Sequence, residues 1–167
     1  MLEVARVRST LIHCLAAEET VGQISEPAGV LAARIAHDET LVVGPPDAAA
    51  ATLEQLIGIV RPLDPTCLIL DQSAGYAGFC LSGDSETAAF ARLSQLRLGE
   101  RRPVFMQGLV ARASAKVLAA DDSIMFFVSS VVAHVVADRI TTACADLEVS
   151  WRPAVDFAVP AGWTVER

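Results

Sequence analysis

Leu68-Ile-Leu-Asp-Gln-Ser-Ala-Gly-Tyr-Ala-Gly-Phe-Cys-Leu-Ser-Gly-Asp84 reads as a strand, a glycine-bearing turn, a second strand and a tight turn at Gly83. The spacing predicts a hairpin-like pair, Cys67 to Leu70 with Tyr76 to Leu81. An amphipathic helix then runs from Ser85 to Leu98, capped by Asp84, with Phe90, Leu93 and Leu96 on its inner face. Asp71 and Ser73 lie two residues apart on a strand and so face one side, with Gln72 on the other. Two readings of that pair stay open. Short polar side chains close turns by bonding nearby amides, and the same pair can line a ligand groove at a strand end.

Upstream, Val30 to Ile35 and Thr40 to Val43 alternate as strands around the turn His37-Asp38-Glu39. Gly44-Pro45-Pro46 stops the second of them. Asp47 is placed to cap a helix whose apolar face is Leu53, Leu56, Ile57 and Val60, ended by Pro62 and Pro65. Downstream, Val104 to Lys116 and Ile124 to Val128 read as strands separated by Ala120-Asp121-Asp122. Ser129 or Ser130 caps a third helix with the stripe Val132, Val136, Ile140, Ala143 and Leu147. The repeated order of strand, strand and helix predicts an α+β fold, a mainly antiparallel sheet with three helices on one face. Residues 1–150 are expected to form a single domain, and 151–167 an extended C-terminal tail.

Composition narrows the function classes. The 167 residues are 53% hydrophobic and 20% charged, more apolar than an average soluble domain. With 13 Lys and Arg and a formal net charge of −7, the surface repels phosphate backbones, which argues against nucleic-acid binding. No apolar run reaches the ~20 residues of a membrane span. Cys14, Cys67, Cys80 and Cys144 lack paired spacing and sit in apolar segments, as buried thiols of a reducing cytoplasm do. Met1-Leu-Glu-Val-Ala-Arg has no basic start before an apolar stretch, so no secretory signal is expected.

Motifs for autonomous chemistry are missing. No glycine fingerprint for a dinucleotide and no phosphate-binding lysine loop is present. His13 and Cys14 are strand neighbours that point to opposite faces and cannot share a metal ion. No catalytic, cofactor-binding or metal-ligating residue is therefore expected in this chain. His134 and Asp138, at i and i+4 on the polar face of the third helix, suit an exposed pair or a subunit contact. Trp151, Phe157 and Trp163 hold much of the aromatic content in a proline-containing tail. Large aromatics are favoured as interface anchors, so these join His134 and Asp138 as candidate interface residues. The bland alternative is a tail that wraps its own domain.

From about Leu15 to Leu147 a series of short motifs follows in order: Leu41-Val-Val-Gly-Pro45, Asp71-Gln-Ser73, Leu81-Ser-Gly-Asp84, Gly108 to Leu118, and Ile124 to Ser130 with its helix. This series resembles the folate-binding aminomethyltransferase domain of the glycine cleavage T-protein. It is most similar to the gamma subunit of heterotetrameric sarcosine oxidase. The T-protein relies on an aspartate shortly after its second helix. Here that stretch, Leu96-Arg-Leu-Gly-Glu-Arg-Arg-Pro103, has none. The resemblance thus implies a non-catalytic accessory subunit of a complex that oxidatively demethylates sarcosine or a related N-methyl amine. It also implies that FAD, FMN, NAD and folate sit in larger flavoprotein and folate-binding partner subunits, and zinc in the smallest. Two other classes stay open: a stand-alone folate-binding or aminomethyl-transfer protein, and a small ligand-sensing regulatory module of ferredoxin-like shape.

Overall fold

The computed structural model describes residues 1–24 and 29–163. The chain divides into two compact units, a larger one of residues 1–7 and 74–155 and a smaller one of 8–73 and 156–167.

The smaller unit holds β2 (Thr10–Leu15), α1 (Glu18–Val21), β3 (Leu31–Ala36), β4 (Glu39–Gly44), α2 (Ala49–Val60) and β5 (Leu68–Asp71), after β1 (Leu2–Arg8) has run through the larger unit. Its sheet is ordered β3-β4-β2-β5 with every pair antiparallel. In chain order that is fourth-first-third-second, the split β-α-β arrangement. Central β2 is buried along almost its whole length. Ile12 and Cys14 turn one face toward α2, where Thr52, Leu56 and Val60 fall four residues apart and are buried. Full burial of a side chain such as Leu56 contributes roughly 1.5–3 kcal/mol.

The larger unit adds β6 (Tyr76–Ser82), α3 (Glu86–Leu93), β7 (Val104–Val110), β8 (Ala113–Ala119), β9 (Ser123–Ser129), α4 (Ala133–Ala143) and β10 (Val149–Trp151). Its sheet runs β10-β1-β6-β9-β8-β7, and β11 (Val155–Asp156) pairs with β1 off this path. With β1 and β7 set aside, β6, α3, β8, β9, α4 and β10 follow the same path as the smaller unit. The helices cover one face, burying Ala89, Phe90 and Leu93 from α3 and Ala133, Val136 and Ile140 from α4. Beneath them Phe79 and Phe126 stand opposite each other in the β6–β9 register, stacked with ring centroids 5.4 Å apart.

The expected α+β class holds, and several of its details are corrected, among them the second long helix, which ends at Leu93 rather than Leu98. There are four α-helices among the described residues rather than three, because Glu18–Val21 forms a single turn. The sheet of the larger unit is mixed, since β10 runs parallel to β1, with Leu2 opposite Val149. Residue 151 therefore ends a strand instead of opening an extended segment. β5 and β6 are not a hairpin: β5 pairs with β2 and β6 with β1 and β9. The long strand expected from Val104 to Lys116 is two strands, turned at Ala111 and Arg112, with φ of 50° and 65°. Finally, Asp84 and Asp47 do not cap their helices, whose N-cap residues are Ser85 and Ala48. Gly83 does make the expected tight turn. Its φ is +88°, and a Cβ there would come within 2.9 Å of the Met1 carbonyl oxygen.

Candidate functional site

Asp71 and Ser73 meet as a closed turn. Asp71 Oδ1 accepts the Ser73 amide at 2.9 Å and the Ser73 hydroxyl at 2.5 Å, and Ser73 Oγ accepts the Leu11 amide at 3.0 Å. The Gln72 amide donates to the Leu11 carbonyl at 2.8 Å. These bonds extend the β2–β5 ladder past its last backbone pair, Ile12 with Asp71, and tie both side chains into the turn.

His134 and Asp138 are both exposed on α4. Val135 on the same helix is 44% exposed, and Val131, in the helical turn Ser130–Val132 just before it, is 78% exposed, so this stretch presents valines as well as polar groups outward. Trp151 is half-packed: its indole lies edge-on to Phe79 at 6.5 Å, and its Nε1–H donates to Thr141 Oγ1 at 3.2 Å. Phe157 is buried, and its amide donates to the Arg8 carbonyl at 2.9 Å. Arg8 also pairs with Asp156 at 2.8 Å. Trp163 is half-buried, its amide bonded to the Pro160 carbonyl.

His13 is buried, with Nδ1 at 2.5 Å from Glu39 Oε1. The β2–β4 register explains the meeting: His13 faces Leu41 and Leu15 faces Glu39, so the two polar residues are diagonal neighbours on one face. Among the described residues no group of three or more His, Cys, Asp or Glu gathers as metal ligands. Burial pushes the Cys14 and Cys80 thiols up to about 11, which leaves them protonated at neutral pH.

A groove of about 500 Å³ opens where α3 ends against the β7–β8 turn, lined by residues 91–96, Leu109 and Arg112. Backbone and hydroxyl bonds set its walls. The Ala111 amide donates to the Leu93 carbonyl at 2.7 Å, Ser94 Oγ–H donates to the Leu109 carbonyl at 2.7 Å, and the same oxygen accepts the Leu96 amide at 3.1 Å. Leu96 also lies over Gly108, where a Cβ would come within 2.7 Å of its Cδ2. At one end Arg92 grips both carboxylate oxygens of Asp146 and reaches the Ala143 carbonyl. Those hydrogen bonds hold the Asp146 carboxyl below the usual carboxylate range. Arg112, on the β7–β8 turn, also lines the groove and is exposed. Sequence reasoning missed this groove because periodicity ran β7 and β8 together and hid the turn that carries Arg112.

No family model matches the sequence, and no curated protein matches it. Solved structures do match in fold. A chain of the heterotetrameric sarcosine oxidase from Corynebacterium sp. U-96 superposes with a TM-score of 0.73 at 13% identity, covering 88% of this chain and 86% of that one. The glycine cleavage system aminomethyltransferase T from Bartonella henselae gives 0.66 at 16% identity, over 90% of this chain. This chain spans about half, 47%, of that enzyme's length. The ligand-free regulatory subunit of aspartate kinase from Thermus thermophilus gives 0.51 at 11% identity, covering 84% of this chain and 96% of that subunit. At such identities the likeness is one of fold alone. No helix of the described residues is long and apolar enough to cross a membrane.

Proposed function

We propose that this chain is a non-catalytic accessory subunit, of the gamma type, in a heterotetrameric sarcosine oxidase-like complex that oxidatively demethylates sarcosine or a related N-methyl amine. One observation carries the reading: the fold agrees with a chain of such an oxidase over most of the length of both. The missing aspartate after α3 and the turn-bound hydrogen bonds of Asp71 and Ser73 support a fold kept without its chemistry. In this reading FAD, FMN, NAD and folate belong to larger flavoprotein and folate-binding partners, zinc belongs to the smallest subunit, and the complex works in the cytoplasm. The contact surface is the outer side of α4, with His134, Asp138 and the exposed valines, together with Trp151. Phe157 and Trp163, the other two candidate interface residues, belong to the smaller unit.

Co-expression with flavoprotein and folate-binding subunits, followed by affinity purification, tests this. A stoichiometric complex lost on Val131→Asp with Val135→Asp supports the reading. A chain that never co-purifies with such subunits while remaining folded overturns it. A stand-alone folate-binding role would instead show as micromolar tetrahydrofolate binding by the isolated chain in calorimetry. The regulatory-module reading draws on the two matching β-α-β-β-α-β paths and on the aspartate kinase regulatory subunit, almost all of which is covered. Light scattering separates it, because a self-sufficient homodimer without larger partners would favour that class.

A further inference from the structure

We propose that the groove between the end of α3 and the β7–β8 turn binds a small organic carboxylate joined to an apolar body. Its volume of about 500 Å³ suits a small ligand, and its chemistry is divided in the way such a ligand requires. The floor is leucine: Leu93 is buried, Leu96 is half-buried, and Leu109 is 63% exposed on the outermost strand of the sheet. An exposed leucine beside a concave surface favours an apolar occupant over water.

The two arginines differ in what they offer. Arg92 has its guanidinium engaged by Asp146 and the Ala143 carbonyl, so its charge is balanced and its position fixed. Among the described residues Arg112 makes no hydrogen bond or ion pair, which leaves its planar fork of donors available to a carboxylate. Its position is an unusual one for an arginine. A two-residue hairpin turn with both φ values positive favours Asn-Gly, yet Ala111 and Arg112 occupy it. Ala111 is buried in the core and its amide is tied to Leu93, while Arg112 is exposed at the groove's rim. One available cation above an apolar floor complements one negative charge on an apolar body. The lining of the site shares no residue with the surface assigned to partner subunits, so the site stands or falls independently of the accessory reading.

Benzoate is a suitable probe, followed by amide chemical shifts of the full chain. Saturable shifts are expected at Leu93 to Leu96 and Leu109 to Ala113, with millimolar affinity. Benzyl alcohol, which keeps the body and loses the charge, should bind about tenfold more weakly, as should acetate, which keeps the charge and loses the body. Arg112→Gln should weaken benzoate about tenfold and leave benzyl alcohol unchanged. Leu109→Glu, also at an exposed position, should abolish benzoate binding through repulsion. Thermal melts matching the wild type certify both variants. Absence of saturable shifts at these residues, or benzoate affinity unchanged in folded Arg112→Gln, overturns the proposal. Co-purification with flavoprotein subunits is a different readout, so failure here does not bear on the accessory role.

Discussion

The two units share one path through space and differ in what has been added to it. Each runs strand, helix, strand, strand, helix, strand with the fourth strand beside the first in the pared-down order. In the smaller unit the first helix has shrunk to Glu18–Val21, four residues. In the larger unit the equivalent helix, α3, has eight, and β1 and β7 widen the sheet. The difference teaches that strand order is the conserved constraint within this molecule, while helix length and extra strands vary around it. A four-residue helix has too few internal hydrogen bonds to hold itself. Thr20 and Val21 are nevertheless buried, and it is packing that keeps the turn in place.

The largest expected effect tests the aromatic centre of the larger unit. Phe126→Ala removes a fully buried ring stacked on Phe79, and should cost about 3–5 kcal/mol in denaturant unfolding. Leu56→Ala, under α2 in the smaller unit, should cost about 2–5 kcal/mol. If each variant lowers one shared transition, the units unfold as one. Two separated transitions, each moved by only its own substitution, would break the comparison into independent folders.

Gly83→Ala sharpens the account of the β6–α3 turn. Its left-handed φ and the nearby Met1 carbonyl should make the change cost about 1–3 kcal/mol. A loss within the range of ordinary surface substitutions would mean the turn can relax. Thiol chemistry separates the cysteines without unfolding either unit. Cys14, Cys80 and Cys144 are buried and their thiols are pushed up by burial. At pH 8 a thiol reagent should therefore label half-buried Cys67 first and the other three only after denaturation. Rapid labelling of Cys80 would place it at the surface.

The smallest effect compares one carboxylate in each unit. Hydrogen bonds from the Thr66 hydroxyl and from the Ala17 and Thr66 amides hold Asp64 below the usual range, and those from Arg92 do the same for Asp146. A depressed folded value means that both contribute stability at pH above the ordinary carboxylate range, and lose it as pH falls through the folded value. Asp64→Asn and Asp146→Asn should each lower Tm slightly at pH 7, with the gap to wild type closing in strong acid. A gap that stays constant down to strong acid would assign the effect to packing instead of charge.

Local signals were the legible ones. Gly83 opening a helix with Phe90 and Leu93 inside, the turn at His37-Asp38, and the strands on either side of it all follow from period and turn chemistry, and the structure has them. Pairing between distant segments was not legible. Leu68–Asp71 and Tyr76–Ser82 are close in sequence and suggest a hairpin, but Ser73–Gly75 is a helical turn that sends the chain from one sheet to the other. The Ala111-Arg112 turn lacks the Asn and Gly that announce left-handed backbone, so β7 and β8 read as one strand. The same omission concealed the groove, since its exposed arginine sits on that turn.

The place of β1 has a consequence for the order in which the protein is made. Leu2–Arg8 leaves the ribosome before either of its neighbours in the sheet, Tyr76–Ser82 and Val149–Trp151, the second of them more than 140 residues later in the chain. All the strands of the smaller sheet, from Thr10 to Asp71, emerge meanwhile as one unbroken run. The smaller sheet can close during translation, while β1 waits with Leu2 and Val4 unsheltered until its partners arrive. Nascent chains stalled before Tyr76 should accordingly protect the smaller sheet from proteolysis and leave β1 open to a holding chaperone.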